Sequence, residues 1–217
     1  MNLNNNKKWD EVYRSNKPNK IPWNFKVVPN WFKDIIYSNW VKPCYTLDIG
    51  CGLGNYAHFL SKNKFKVLSI DISKEAIKKA KFIYENKNTK FIVFDALKLS
   101  KLPIFKKFNF ILDISFFHYV EPQKRKNYSN SLYKITNKKA KVLICCFNRK
   151  DKVFRDQKCF FNPDINMKTY TLSKKEIIDT FKEKFKIEEI KEIKFGKFSK
   201  IGNSLTRKRF LIKLERK

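Results

Sequence analysis

The chain has 217 residues, 42% hydrophobic and 16% aromatic, enough to bury the core of one globular domain and too apolar for disorder. Five glycines, seven prolines and no apolar run of membrane-spanning length exclude collagen-like, low-complexity and membrane-spanning chains. The formal charge of +29 is spread along the whole sequence, so a solvated basic surface is the leading expectation and a nucleic-acid partner the weaker one.

Residues 1–43 are polar and aromatic, with Trp9, Tyr13, Trp23, Trp31 and Trp40 spaced among prolines. They lack the apolar stretch of a signal peptide, and Asp10 and Glu11 do not suit a transit peptide, so a cytoplasmic location is expected. From Tyr45 short apolar runs alternate with amphipathic segments. Tyr45–Ile49 reads as a strand ending in glycines, and Tyr56, Phe59 and Leu60 fall at the i, i+3, i+4 spacing of a helix stripe. A second strand at Val67–Ile70 leads to Ser73, an N-cap for a helix striped by Ala76, Ile77, Ala80, Ile83 and Tyr84. The continuous apolar runs Phe91–Phe94 and Phe108–Ile114 suit parallel strands buried on both faces.

Tyr128, Leu132 and Ile135 mark a weak helix before a fifth strand, Lys141–Phe147, and the polar stretch 148–171 reads as an insertion or long loop. Ser173 and Glu176 form a capping box that opens a helix running to about Lys184. Strands near Ile187–Phe195 and Arg209–Glu215 follow, joined by a loop containing Gly196 and Gly202. The expected fold is α/β: a doubly wound, mostly parallel, seven-stranded Rossmann-like sheet closed by a C-terminal antiparallel hairpin. The five cysteines include no C-x-x-C pair and the histidines are only His58 and His118, so neither a disulfide framework nor a metal site is expected.

The chemistry is concentrated in Asp48-Ile49-Gly50-Cys51-Gly52-Leu53-Gly54-Asn55, between the first strand and the first helix of the sheet. Glycines there let the chain turn sharply and let a ligand approach the backbone. Asn55 stands where a dinucleotide fingerprint needs its third glycine, and no Gly-Lys-Ser/Thr follows, so neither dinucleotide nor phosphate-loop binding fits. Asp71 closes the second strand twenty-one positions after Gly50, where a carboxylate can accept two hydrogen bonds from ribose hydroxyls.

The pattern D-x-G-x-G-x-G resembles that of class I S-adenosylmethionine-dependent methyltransferases at every position. The resemblance implies S-adenosylmethionine as cofactor, seated against Gly50, Cys51, Gly52 and Gly54, with Asp48 facing its amino group and Asp71 its ribose. It places Ile72 against the adenine face and Asp95, with Ala96, at the adenine amino group. A core role for Ile72 and a helix N-cap role for Asp95 are the alternatives.

After the fourth strand, Asp113-Ile114-Ser115-Phe116-Phe117-His118-Tyr119 resembles the D-R-G-x-x-H-H signature of the thiopurine, thiol/halide and tellurite-resistance methyltransferases. Asp113 and His118 match it; Ile114, Ser115 and Tyr119 depart from it. Asp113 ends the strand, where open sheets bind ligands, so it is also expected to face the site as a cofactor contact. Trp9, Tyr13, Pro22 and Trp23 are similar to the W-x-x-x-Y…P-W segment preceding the core in those enzymes, which implies a helical lid over residues 1–43 ahead of a cofactor domain at 44–217. A hydrophobic staple is the other reading of those aromatics.

The activity implied is methyl transfer to a small, soft nucleophile such as a thiol. His118 is the candidate base with Asp113 orienting it, against a buried structural histidine as the alternative. Methylation of RNA or protein is the main rival, and a non-catalytic cofactor-binding subunit the third reading.

Overall fold

The computed structural model describes residues 3–21, 23–163, 165–197 and 206–217. Pro22 of the lid motif and Gly202 of the expected late loop lie outside the described residues. In chain order the elements are α1 (Leu3–Ser15), α2 (Asn30–Tyr37), β1 (Tyr45–Ile49), α3 (Asn55–Lys62), β2 (Lys66–Asp71), α4 (Lys74–Tyr84), β3 (Thr89–Val93), β4 (Phe108–Ile114), α5 (Arg125–Ile135), β5 (Thr136–Phe147), β6 (Cys159–Asn162), β7 (Met167–Tyr170), α6 (Lys174–Phe181), β8 (Phe185–Lys197) and β9 (Thr206–Arg216).

Seven strands form one sheet in the order β3-β2-β1-β4-β5-β9-β8. The five on the β3 side run parallel, and β9 pairs antiparallel with both β5 and β8. The expected doubly wound sheet and closing hairpin are therefore present. The chain leaves β1 toward β2 on one side and returns as β4 on the other, so the order reverses between β1 and β4. In open α/β sheets ligands bind at such a switch point, beyond the carboxyl ends of the strands. Register brings the ends level there: Ile49 pairs with Ile70 on one side and with Asp113 on the other.

Alternation along the strands divides the core into two layers. On one face Leu47, Ile49 and Ile111 pack with Tyr128 and Leu132 of α5 and Phe181 of α6. On the other, Phe110 and Leu112 pack with Phe32, Ala57, Leu60 and Phe65. Residues 1–43 consequently do two jobs. The α2 helix belongs to the second layer, its Phe32 ring meeting Tyr56 edge-on at 4.9 Å, while α1 and the segment up to Phe25 lie over the strand ends.

Several ends differ from the sequence reading: two strands run longer and one helix stops about a turn short. β5 begins at Thr136, α6 ends at Phe181, and β8 runs through Gly196 to Lys197. The stretch 148–171 is structured: a 3-10 turn at Lys152–Phe154 precedes the β6–β7 hairpin. Its phenylalanines carry no periodicity because they face a cavity from a turn and from a two-stranded ribbon. Phe154 and Phe160 stack at 4.9 Å, and Phe154 meets Phe147 of β5 at 5.0 Å.

Candidate active site

A cavity of about 660 Å³ opens beyond the carboxyl ends of β1, β2 and β4. The turn after β1 forms its floor, and the backbone there demands glycine. Gly52 has φ +54 and a Cβ on it would lie 2.7 Å from the Tyr13 hydroxyl oxygen; Gly54 has φ +82 and a Cβ would meet the Phe91 ring at 2.6 Å. Gly50 and Cys51 anchor the turn by donating their N–H groups to the Ile70 carbonyl at 2.8 and 3.0 Å. The Cys51 thiol is held well above its usual pKa, chiefly by burial, and is a packing group there.

Asp71 ends β2 against this turn. One carboxylate oxygen accepts the Gly52 N–H at 2.9 Å and the other accepts the Ser73 N–H at 2.9 Å. Each oxygen keeps a second lone pair, and the residue lines the cavity beside Ile72. Asp48 is buried in the same floor; its Oδ2 has no hydrogen-bond partner among the described residues. Burial, reinforced by Asp71 and Asp113, pushes its carboxyl up to about 8. An acid held near neutrality with an orphaned oxygen in a cavity wall suits a ligand that brings a positive group. Asp95 lines the cavity beside Ala96 and caps the following 3-10 turn, accepting the Leu97 N–H at 2.9 Å. The N-cap alternative is therefore present, and it leaves the residue in the wall.

The N-terminal aromatics cover this floor. Trp9 meets Trp23 edge-on at 5.7 Å and Tyr119 edge-on at 5.3 Å, and Trp23 donates its indole N–H to the Tyr13 hydroxyl at 3.1 Å. Polar ties fix α1 to α4. Asp10 accepts the Ser73 hydroxyl at 2.7 Å and the Glu75 N–H at 3.2 Å, and Lys79 donates to the Tyr13 carbonyl.

Asp113 and His118 are not brought together. The Asp113 carboxylate turns from the cavity and accepts the Phe116 and Phe117 N–H groups at 2.9 and 3.0 Å and the Tyr128 hydroxyl at 2.6 Å. It is a buried clamp on the turn after β4 and does not orient an imidazole. His118 lines the cavity between Phe147, 4.1 Å between ring centroids, and Tyr119 at 4.5 Å, with Nδ1 unpartnered among the described residues. Burial, and then the Arg209 charge, holds its pKa well below the usual histidine value, so it is neutral and a weak proton acceptor.

Sequence reading missed the far wall. Arg207 and Arg209 of β9 line the cavity with Lys152 and Arg155 of the 148–171 stretch. Arg209 is sandwiched between the Phe195 and Phe147 rings, 4.0 and 4.6 Å from their centroids, and donates to the Ser115 hydroxyl. Arg207 lies over Phe154 at 5.6 Å. β9 begins at Thr206, ahead of the expected Arg209–Glu215 strand, and this earlier start puts Arg207 at i, i+2 to Arg209, which sends both side chains to one face.

A family model described as a methyltransferase domain matches residues 41–197. The chain belongs to that family. It is an enzyme, and S-adenosylmethionine is its cofactor; the glycine cradle, the paired acids and the cavity fit that ligand. No curated protein matches the sequence. Among solved structures, the methyltransferase resembles a S-adenosylmethionine-dependent methyltransferase from Anabaena variabilis at TM-score 0.77 and 18% identity, covering 100% of this chain and 96% of that one. It also resembles the protein of a study of disulfide-to-thioacetal conversion in echinomycin biosynthesis, at TM-score 0.78 and 22% identity, covering 97% and 92%. The N-methyltransferase NodS from Bradyrhizobium japonicum, in complex with S-adenosylhomocysteine, aligns at TM-score 0.72 and 14% identity, covering 98% of each chain.

Proposed function

We propose that this methyltransferase acts on a small, soft nucleophile such as a thiol, in the manner of the thiopurine, thiol/halide and tellurite-resistance group. The carrying observation is the walled site: Trp9, Tyr13 and Trp23 roof the glycine turn, and the β6–β7 hairpin walls the other side, leaving a cavity of about 660 Å³. That lies within the range of roughly 300–1,000 Å³ found for small-ligand pockets. Disulfide-to-thioacetal conversion at a structural neighbour is sulfur chemistry on a similar scaffold.

In this reading Gly50, Cys51, Gly52 and Gly54 let the cofactor lie against the backbone. The free lone pairs of Asp71 accept the ribose hydroxyls, and Asp48 ionises against the amino group. Ile72 and Ala96 flank the adenine, with Asp95 at its amino group and Trp9, Tyr13 and Trp23 above. When bound, the cofactor would supply an electrophilic sulfonium methyl group for the acceptor sulfur.

The protein needs no strong base for this. A thiol of ordinary pKa near 8.5 is partly ionised at neutral pH. The Arg209 guanidinium favours the thiolate, whereas neutral His118 serves as an apolar ring in the wall. A dry aromatic pocket favours a step in which charge is lost.

The test is methyl-labelled S-adenosylmethionine incubated with enzyme and cell extract, followed by separation into small-molecule, nucleic-acid and protein fractions. Label in small molecules, rising with added thiols, is expected. Label in RNA or protein would replace this reading with the polymer one.

A further inference from the structure

Basic residues that are scattered along the sequence are gathered by the sheet. The end of the molecule opposite the cavity is built by the connections that enter the five parallel strands. In the spatial order of those strands, exposed lysines stand at each: Lys87 before β3, Lys64 before β2, Lys42 before β1 and Lys107 before β4. Lys139 completes the row near the start of β5, where the register against β4 shifts. Lys62 and Lys66 flank Lys64, and Lys106 and Lys138 adjoin Lys107 and Lys139, all of them exposed. Glu85 is the one carboxylate in residues 38–44, 62–66, 85–88, 102–107 and 136–140.

None of these ammonium groups pairs with a carboxylate among the described residues. Lysines toward the other edge of the sheet are matched: Lys141 pairs with Glu188 and Glu215, and Lys213 with Glu189. Like charges collected on one end repel, and a bound polyanion removes that cost. Neighbouring strands lie about 4.8 Å apart, so the five positions form a row about 19 Å long. A row of that kind tracks a chain of phosphates. Two rings stand in solvent beside it: Phe82 in the last turn of α4 is 93% exposed, and Phe105, next to Lys106, is fully exposed. Bare ring faces among lysines are stacking platforms for bases. A bilayer is held by a helix with a free apolar face, whereas α4 buries its Ala76, Ile77 and Ala80 in the protein.

We infer that this end of the methyltransferase binds single-stranded nucleic acid, the lysine row following the phosphates while Phe82 and Phe105 stack on bases. The strand is a docking partner and not the methyl acceptor. The row lies at the amino ends of the parallel strands and the cavity beyond their carboxyl ends. The five residues of β1 alone hold the two about 16 Å apart. The small-acceptor reading of the cavity stands or falls independently of this surface.

The test titrates the full chain against a fluorescein-labelled oligouridylate and follows anisotropy. Affinity should fall about a hundredfold between about 50 and 200 mM salt, the slope of about −3.5 that five neutralised phosphates give. Replacing Lys64→Gln and Lys107→Gln together should reduce that slope to about −2. Phe82→Ala should weaken binding about fivefold or more while the slope holds. Lys191→Gln with Lys194→Gln, exposed positions on β8 away from the row, should stay near the unmodified chain. Saturating S-adenosylhomocysteine should leave the oligonucleotide bound. Failure of the oligonucleotide to bind, its displacement by S-adenosylhomocysteine, or an equal loss in both lysine pairs would overturn the inference. Weak oligonucleotide binding beside tight binding to phosphatidylserine vesicles that needs Lys64 and Lys107 would assign the row to a membrane and overturn it equally.

Discussion

Tyr13 is seated on Gly52: a Cβ at Gly52 would lie 2.7 Å from the Tyr13 hydroxyl oxygen, so the lid and the glycine turn are one packed unit. Gly52 is required twice, by its left-handed backbone and by the ring above it. Gly52→Ala is expected to cost about 1–2 kcal/mol for the backbone, plus the displacement of Tyr13. In a Tyr13→Phe background the displacement should shrink, giving a coupling of about 0.5–3 kcal/mol in a double-mutant cycle read by urea unfolding. Strictly additive costs would mean that Tyr13 does not rest on Gly52 in solution.

The Asp113 clamp predicts a pH-dependent cost. Burial raises its carboxyl to about 6, and the Tyr128 hydrogen bond works against that rise by favouring the ionised form. Tyr128→Phe leaves one oxygen short of a partner, worth about 1–3 kcal/mol. That cost should be full at pH 8, where Asp113 is ionised, and smaller at pH 5, where it is mostly protonated. Unfolding midpoints at the two pH values decide it; an equal loss at both would show that the hydroxyl does not serve the carboxylate.

The parallel sheet was legible because its strands are short apolar runs separated by amphipathic helices, and the cofactor floor because Gly52 and Gly54 sit where no other residue fits. Asp71 was legible from its place at a strand end. Asp113 was misread for the same reason: a strand-end acid can face the ligand or fold back onto the following turn, and three hydrogen bonds drew it back. The division of residues 1–43 was hidden because Phe32 and Trp9 are equally aromatic, and only packing sends one to the core and the other to the lid. The 148–171 wall was invisible because a cavity-facing ribbon shows neither a helix period nor a buried-strand run.

Asp48 makes cofactor binding a proton-coupled event in the proposed role. Its folded pKa of about 8 lies above the usual carboxylate value, so between about pH 4 and 8 the folded protein holds a proton that the unfolded chain has released. This residue therefore lowers stability as pH rises through that window. If it ionises against the cofactor's amino group, binding at pH 7 releases a proton, and affinity should climb by up to about tenfold per pH unit from pH 6 to 8 before levelling. Calorimetry of S-adenosylhomocysteine binding in buffers of different ionisation enthalpy measures that release. Asp48→Asn should abolish it, and a wild-type protein releasing no proton would remove Asp48 from the amino-group contact.

The lid depends on Asp10, which caps α4 a second time. Ser73 already caps that helix by accepting the Ala76 N–H at 3.1 Å, and Asp10 adds a carboxylate at the same end, where negative charge is favoured. Asp10→Ala removes two of the hydrogen bonds joining α1 to α4 and leaves the one from Lys79 to the Tyr13 carbonyl, whereas Asp10→Asn keeps an acceptor and should recover part of the loss. The α1 contact sits above the core, so amide exchange over residues 3–15 should accelerate about tenfold or more, the effect of roughly 1.4 kcal/mol, while the strands keep their protection. S-adenosylhomocysteine affinity should fall in step with lid opening, because Trp9 and Tyr13 leave the roof together. Faster exchange without weaker binding would show that the lid is not part of the cofactor site, and unchanged exchange would show that Asp10 does not hold it down.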